Sequence, residues 1–396
     1  MQRIGIFGGT FNPPHLGHIQ AAKQALETLG LTKILFIPNR IAPHKALPPD
    51  SPSPADRLAM LKIAIGRESG MEASDLELTR EGISYTVDTL AALETQYPEA
   101  KLTLLMGTDM FLNFSKWRES EKIVGMASLG VFYRGEKGEK AAIEEKCREI
   151  TDLGGRVRLV KNAVVPISST QMRRLLAFQC ADAFLPEGVG DYIREKGLYH
   201  TAENWRNLPM DKLEQVVISL LNPNRVAHVL GCRDTAVELA KRWGADETDA
   251  ARAGILHDIT KALDGPLQLT LCDAYGKILN DFSRRYPKTL HALTGSLVAE
   301  RIFGENKAVV DAIRSHTTGK ADMNLLETII YVADYMEPNR KFPGVERLRE
   351  LAYRDITGAL KLGLDMTMEH LRDQGSEASP ESREALEYLK SYVPNC

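Results

Sequence analysis

Two groups of residues in this 396-residue chain have the types and spacing to do chemistry. The first is the string Gly8-Gly9-Thr10-Phe11-Asn12-Pro13-Pro14-His15-Leu16-Gly17-His18. Two glycines directly after an apolar run let the main chain approach a phosphate closely. A helix beginning just beyond them would aim its N-terminal amides and its dipole at the same spot. His15 and His18 are three apart, so in a first helical turn they share a face. The chemistry expected is phosphoryl or nucleotidyl transfer, which needs mainly positioning and charge stabilisation. No Gly-Lys-Ser/Thr follows, so the string is not a P-loop, and it is not a G-x-G-x-x-G dinucleotide turn. The second group is sparse: His228, His257, Asp258, His291, His316 and Asp334. Each falls on a predicted helix or at its end, which is how a helical bundle assembles a metal site. Imidazoles with carboxylates suit iron, manganese or zinc. Two metals sharing a carboxylate would hold a hydroxide and clamp a phosphate for hydrolysis. A single helical histidine is more often plain core or surface, and His200 and His370 are read that way. His257-Asp258, following the apolar Gly254-Ile255-Leu256, is costly to bury unless liganded.

The elements that must hold these groups differ between the two halves. Ile4–Phe7, Ile34–Ile37, Leu102–Met106, Leu129–Tyr133 and Val157–Val160 read as strands. Amphipathic stretches lie between them at His18–Leu29, Ala55–Ile65, Thr86–Gln96 and Ala141–Leu153. This alternation predicts a doubly wound α/β parallel sheet covered on both faces, with ligands beyond the carboxyl ends of its strands. Ala42–Pro54 holds five prolines and is expected to be a loop, in the position of a lid. Tyr199–Asp211 is poor in apolar residues and is the expected linker. From Met210 onward nearly every segment has helical periodicity, so the second half is expected to be all-α. The domains expected are 1–200 and 210–396.

The length sets a prior of two to three domains. Fifty basic against 53 acidic residues argue against a nucleic-acid binder working through bulk positive charge. Five scattered cysteines without a C-x-x-C exclude a cysteine-built zinc site and suit a reducing compartment. No apolar run approaches the roughly 18 residues of a membrane span. Arg3–Phe7 reads as a buried strand in place of a signal peptide. The expected setting is cytoplasmic, with small-molecule substrates, no nucleic acid and no membrane; a homo-oligomer is left open.

The first string resembles the GGTFDPxHxGH signature of the bacterial nicotinate-nucleotide adenylyltransferases. Further motifs of that family follow in order. Pro38-Asn39 through Ala42-Pro43-His44-Lys45 resembles its P-x-x-x-P-P-H-K loop, with Ala42 in place of a proline. Tyr85-Thr86-Val87-Asp88-Thr89-Leu90 resembles S/T-Y-T-x-D-T-L, and Met106–Asp109 with Trp117-Arg118 resembles G-x-D…W. Ile167-Ser168-Ser169-Thr170 with Arg173 resembles I-S-S-T-x-I-R, Met172 replacing isoleucine. The resemblance covers residues 1 to about 199. It implies attack by the phosphate of nicotinate mononucleotide on the α-phosphorus of ATP, with Mg2+ bridging triphosphate oxygens. It assigns ATP to Gly8, Gly9, Thr10, His15, His18, Ser168, Ser169, Thr170 and Arg173, and the mononucleotide to His44, Lys45, Thr86, Asp109 and Trp117. His15, His18 and Lys45 are the expected catalytic groups. A carboxylate at Asp109 suits a ribose diol, and Trp117 offers a flat face to a pyridine ring.

The second group resembles the HD phosphohydrolases, H…HD…H…H…D, and more narrowly the symmetrical diadenosine tetraphosphatases. The strings His316-Thr317-Thr318-Gly319 and Ala333-Asp334…Glu337-Pro338-Asn339-Arg340 carry the narrower likeness, over about residues 210 to 390. It implies His228, His257, Asp258 and Asp334 around one metal, iron first and manganese second, with His291, His316 and a bridging Asp258 at another. Asp258 is the expected catalytic carboxylate; Lys261 and Arg340 would neutralise the tetraphosphate. A bridging hydroxide would attack a β-phosphorus and yield two ADP. Three rivals stay open: a phosphopantetheine-type adenylyltransferase, an HD half that senses without turnover, and an HD half acting on another nucleotide. Metal identity, acid-over-amide preference and communication between the halves are open too.

Overall fold

The computed structural model describes residues 1–43, 47–133, 138–161 and 167–392. The chain divides into two compact units, Met1–Glu203 and Asn204–Cys396.

The first unit is built on strands β1 (Arg3–Gly9), β2 (Lys33–Pro38), β3 (Met71–Ala73), β4 (Lys101–Gly107), β5 (Ser128–Tyr133) and β6 (Val157–Lys161). They form one sheet in the order β3-β2-β1-β4-β5-β6, every pair parallel. This is the doubly wound order, with its switch point between β1 and β4. The five strands expected from pattern are all present. The sixth, β3, has three residues, too few for any periodicity to register. Helices α1 (Leu16–Leu29), α2 (Pro54–Ile65), α3 (Thr86–Gln96), α4 (Thr108–Leu112), α5 (Ser120–Met126), α6 (Glu139–Asp152), α7 (Ser169–Ala177) and α8 (Val189–Glu195) complete the unit. Ile4, Ile34, Ile37, Leu129, Val131 and Val160 have no exposure at all, as sheet strands covered on both faces require. Because all strands run the same way, the segments after β1, β2, β4 and β6 emerge at one edge.

The second unit is all-α. Its helices are α9 (Met210–Leu220), α10 (Pro223–Trp243), α11 (Glu247–Leu256), α12 (Gly265–Ala274), α13 (Asp281–Arg285), α14 (His291–Val298), α15 (Lys307–Ser315), α16 (Leu325–Met336), α17 (Val345–Ala352), α18 (Ile356–Asp373) and α19 (Pro380–Tyr388). Side-chain N-caps from Asn222, Asp246, Asn306 and Asn324 set the starts of α10, α11, α15 and α16, the helices that carry or lead into the metal-ligating series. Only six residues separate α18, which runs to Asp373, from α19, which starts at Pro380.

The expected linker is not a bare tether. Tyr199 is buried in the first unit, its hydroxyl donating to Asn12 Oδ1 at 2.7 Å. Trp205 is buried in the second, stacked on Phe303 at 5.7 Å. No helix among the described residues is long and apolar enough to cross a membrane.

Candidate functional site

In the first unit, β1 ends at Gly9 and α1 begins at Leu16 with His15 as its N-cap, so the chain turns over the carboxyl edge of the sheet. A Cβ built on Gly8 would meet nothing within 4 Å, which leaves its backbone open to a ligand. The two imidazoles are stacked at a tilt of 32°, ring centres 3.7 Å apart. The main-chain N–H of His15 donates to His18 Nδ1 at 3.1 Å. That bond leaves Nε2 as the protonated nitrogen of His18, so a neutral ring offers an N–H donor. Burial pushes the His15 imidazole down to about 4. Burial, and then the proximity of His15, pushes His18 well below its usual range. Both rings are therefore neutral near pH 7.

The main chain of this turn is held from behind by Arg57, which sequence reasoning passed over, and by Arg173, which it assigned to ATP. Arg57 on α2 is fully buried, and no carboxylate among the described residues pairs with it. Its two terminal nitrogens donate to Thr10 O at 2.8 Å and Asn39 O at 2.7 Å, tying the segment after β1 to the segment after β2. Arg173 on α7 donates to Asn12 O at 2.9 Å and to Thr170 Oγ1 at 3.2 Å. Asn12 itself donates to Ser51 Oγ at 2.9 Å in the proline-rich loop. His200, assigned no role from sequence, lies 2.7 Å from both Asp50 and Glu203 and pins the same loop. Arg57→Met would leave two buried carbonyls without donors. The expected cost is about 3 kcal/mol of first-unit stability, read as a shift in its thermal transition and faster amide exchange in residues 8–18.

The remaining predicted residues that the structure describes lie at the starts of helices or just after them in the first unit. Ser168 caps α7, accepting from Gln171 N at 3.2 Å, and Ser169 Oγ lies 3.5 Å from Pro13 O. Met172 is fully buried, so its exchange for isoleucine keeps an apolar core position. Thr86 opens α3 and exposed Asp109 lies in the first turn of α4. Trp117 is half-buried, one side packed against the sheet core and its ring 5.4 Å from that of Phe114. His44 and Lys45 lie outside the described residues.

In the second unit, α10, α11, α14, α15 and α16 bring all six predicted ligands together. His228, His257, Asp258, His291 and His316 are buried, and the Asp334 side chain is 16% exposed. His228 Nε2 is 3.1 Å from Asp334 Oδ1 and 3.3 Å from His257 Nε2. Asp258 lies between two sets. Its Oδ2 is 3.4 Å from His257 Nε2 and 3.7 Å from His228 Nε2. Its Oδ1 is 3.5 Å from His291 Nε2 and 3.7 Å from His316 Nε2. The Nδ1 atoms are all engaged elsewhere: His257 with Gly254 O at 2.8 Å, His291 with Lys288 O at 2.8 Å, His316 with Ile313 O at 2.6 Å, and His228 with Glu337 Oε1 at 3.1 Å. Four Nε2 lone pairs thus face the same carboxylates, the tautomer a metal requires. Buried Asp258 Oδ1 has no hydrogen-bond partner, which fits the donor atom of a metal ligand. The donor set of imidazole and carboxylate matches iron or manganese, and zinc as well.

Both groups of three or more potential ligands found among the described residues belong here: His228, His257 and Asp334; and His257, Asp258 and His316. His257 is thus shared in a way the expected division did not include. Burial would raise the Asp258 carboxyl, but the His257 imidazole overrides it and holds the group well below the carboxylate range. Three cationic side chains surround the centre. Arg225, missed in the sequence, donates from Nε to Asp258 Oδ2 at 2.7 Å. Arg340, expected to meet the tetraphosphate, donates to Asp334 from Nη2 and Nε, at 2.5 Å to Oδ1 and 2.8 Å to the main-chain oxygen. Lys261 Nζ is 2.8 Å from His291 Nε2. A cavity of about 280 Å3 opens here, bounded by Asn222, Asn224, Arg225, Asp258 and Lys261.

Comparison with known proteins follows the same division. The cytidylyltransferase-like family pattern matches residues 6–175, and the HD domain pattern matches residues 225–339. A protein of Aeromonas salmonicida described as a "probable nicotinate-nucleotide adenylyltransferase" is 39% identical over 210 residues, covering 50% of this chain and 96% of that protein. One of the same description from Symbiobacterium thermophilum is 37% identical over 209 residues, covering 52% and 98%. A solved structure from Clostridium acetobutylicum, described as a "predicted HD superfamily hydrolase involved in NAD metabolism", shares 38% identity over 47% of this chain and 99% of that one, with a TM-score of 0.46. Sheet and helical bundle are therefore a cytidylyltransferase-like unit followed by an HD unit. Through its first half the chain belongs to the nicotinate-nucleotide adenylyltransferase family.

Proposed function

We propose that the chain is a bifunctional enzyme. Its first unit joins ATP and nicotinate mononucleotide to give deamido-NAD and pyrophosphate, a step of NAD biosynthesis. Its second unit hydrolyses diadenosine tetraphosphate to two ADP. In the first reaction a phosphate oxygen of the mononucleotide attacks the α-phosphorus, and the bond to the bridging α–β oxygen breaks. The neutral His18 ring donates Nε2–H to the oxygen on which charge builds, and Gly8, Gly9 and Thr10 approach the phosphates through their main chain. Arg57 and Arg173 keep that main chain in place. Mg2+ would arrive with the triphosphate, since the potential metal-ligand groups found among the described residues lie in the second unit. The reading of this half rests on relatives matched over 96% and 98% of their length.

The reading of the second half rests on the convergence of four Nε2 atoms on Asp258 and Asp334. Those six residues would hold a divalent metal, which would polarise a phosphate and lower the pKa of a water. Arg225 and Lys261 at the cavity mouth would face the tetraphosphate. The test is a product profile of the purified full chain. Given ATP, it should form a dinucleotide with nicotinate mononucleotide in preference to nicotinamide mononucleotide, and none with phosphopantetheine. Given diadenosine tetraphosphate with iron or manganese, it should release ADP alone. Failure with nicotinate mononucleotide would sink the first assignment. Tight binding of the tetraphosphate without ADP would replace the second by a sensing role.

A further inference from the structure

The two ends of the metal cluster differ in what surrounds their ligand nitrogens. At one end stands Glu337, which is 1% exposed. Its Oε1 receives His228 Nδ1–H at 3.1 Å. Its Oε2 accepts from Asn339 N at 2.7 Å and Asn339 Nδ2 at 2.9 Å, so the carboxylate is fixed from behind. Gly231, a helical turn after His228, makes the approach feasible, because a Cβ there would collide with Glu337 Oε2. A carboxylate on the far nitrogen orients a ligand imidazole and makes it more basic, and losing one costs 10–100-fold in metal affinity. His257 and His316 have neutral main-chain carbonyls in that position, and His291 has the Lys288 carbonyl with Lys261 Nζ 3.4 Å away.

At the other end the ligand nitrogen is already engaged. His291 Nε2 accepts from Lys261 Nζ at 2.8 Å and lies 2.9 Å from Thr317 Oγ1, which is also 3.0 Å from His316 Nε2. Lys261 Nζ is 3.9 Å from Asp258 Oδ1. The ammonium therefore sits on an imidazole lone pair a second ion would need, and like charge opposes that ion, whereas the cation at the first end, Arg340, is held on a carboxylate oxygen, Asp334 Oδ1. His291 accordingly joins neither of the two compact ligand groups.

We propose that the two metal positions are unequal: the one on His228, His257, Asp258 and Asp334 is a tight resident site backed by Glu337 and Gly231, and the one on His291, His316 and Asp258 fills only when Lys261 moves off His291. This rests on the metal-centre reading above but not on the tetraphosphate as substrate. The test is titration of the metal-free full chain with Mn2+ against a fluorescent chelator, with EPR to count coupled pairs. The first Mn2+ should bind at least about 10-fold more tightly than the second. Lys261→Met should tighten the second about 10-fold or more and leave the first unchanged. Glu337→Gln should weaken the first 10–100-fold and spare the second. Gly231→Ala should act like Glu337→Gln, since it displaces the same carboxylate. Two ions of equal affinity, or a second ion indifferent to Lys261→Met, would overturn the ranking while leaving the metal centre standing. No Mn2+ bound at all would remove both.

Discussion

Asp258→Asn should strip the second unit of metal and lower its phosphohydrolase rate at least about a thousand-fold, the scale expected when a metal's charge stabilisation is lost. The reason is geometric. Asp258 is 1% exposed, and its two oxygens face different imidazole pairs, Oδ2 toward His228 and His257 and Oδ1 toward His291 and His316. An amide has one acceptor oxygen and no charge, so it can serve one pair at most and points an NH2 group at the other. Adenylyl transfer should stay within about twofold of the parent, since every residue assigned to it lies in the other compact unit. Metal per chain, ADP release and deamido-NAD formation on the same preparation give the answer. Retained metal and retained hydrolysis would remove Asp258 from the centre.

His18→Ala should lower adenylyl transfer by about 10²–10³, the usual loss for one donor aimed at developing charge, while ADP release by the second unit is unaffected. The His15 N–H bond to Nδ1 leaves Nε2–H as the donor. The loss should fall on kcat more than on KM for ATP, because that donor counts most where charge builds. A variant with unchanged kcat would exclude His18 from the transfer step. The protonation states have their own check. With folded pKa values depressed, by burial for His15 to about 4 and by burial and His15 for His18, neither ring should titrate between pH 6 and 8 in an NMR series without substrate. The linkage follows in sign. As pH falls below about 6.5, the unfolded chain takes up protons that folded His15 refuses, so this contribution to stability is complete above that pH and is lost toward pH 4.

The candidate ligands were legible along the chain because metal and phosphate chemistry depends on residue type. His228, His257, Asp258, His291, His316 and Asp334 all meet at one centre. Strand and helix types were legible from periodicity, and the strand that escaped, β3, is three residues long. The supporting groups were not legible. Arg57 lies in an ordinary amphipathic helix, and nothing in its spacing marks it as the donor to Thr10 and Asn39. Glu337 stands in a string that carries the family resemblance, but its role shows only when its carboxylate is seen against His228, with Gly231 as the gap that admits it.

Local pattern along the chain was thus enough for two units of different class, for a glycine turn between β1 and α1, and for six candidate ligands that meet in the second unit, since these follow from short-range periodicity and from the chemistry of single side chains. Partnership across long separations is another matter. That Arg340 is engaged with Asp334, that Lys261 lies on His291, and that Asp258 offers one oxygen to each imidazole pair are outcomes of how five helices pack. Packing places atoms to within an ångström or so, and at that scale a lysine near a histidine is either a phosphate ligand or the occupant of a metal position.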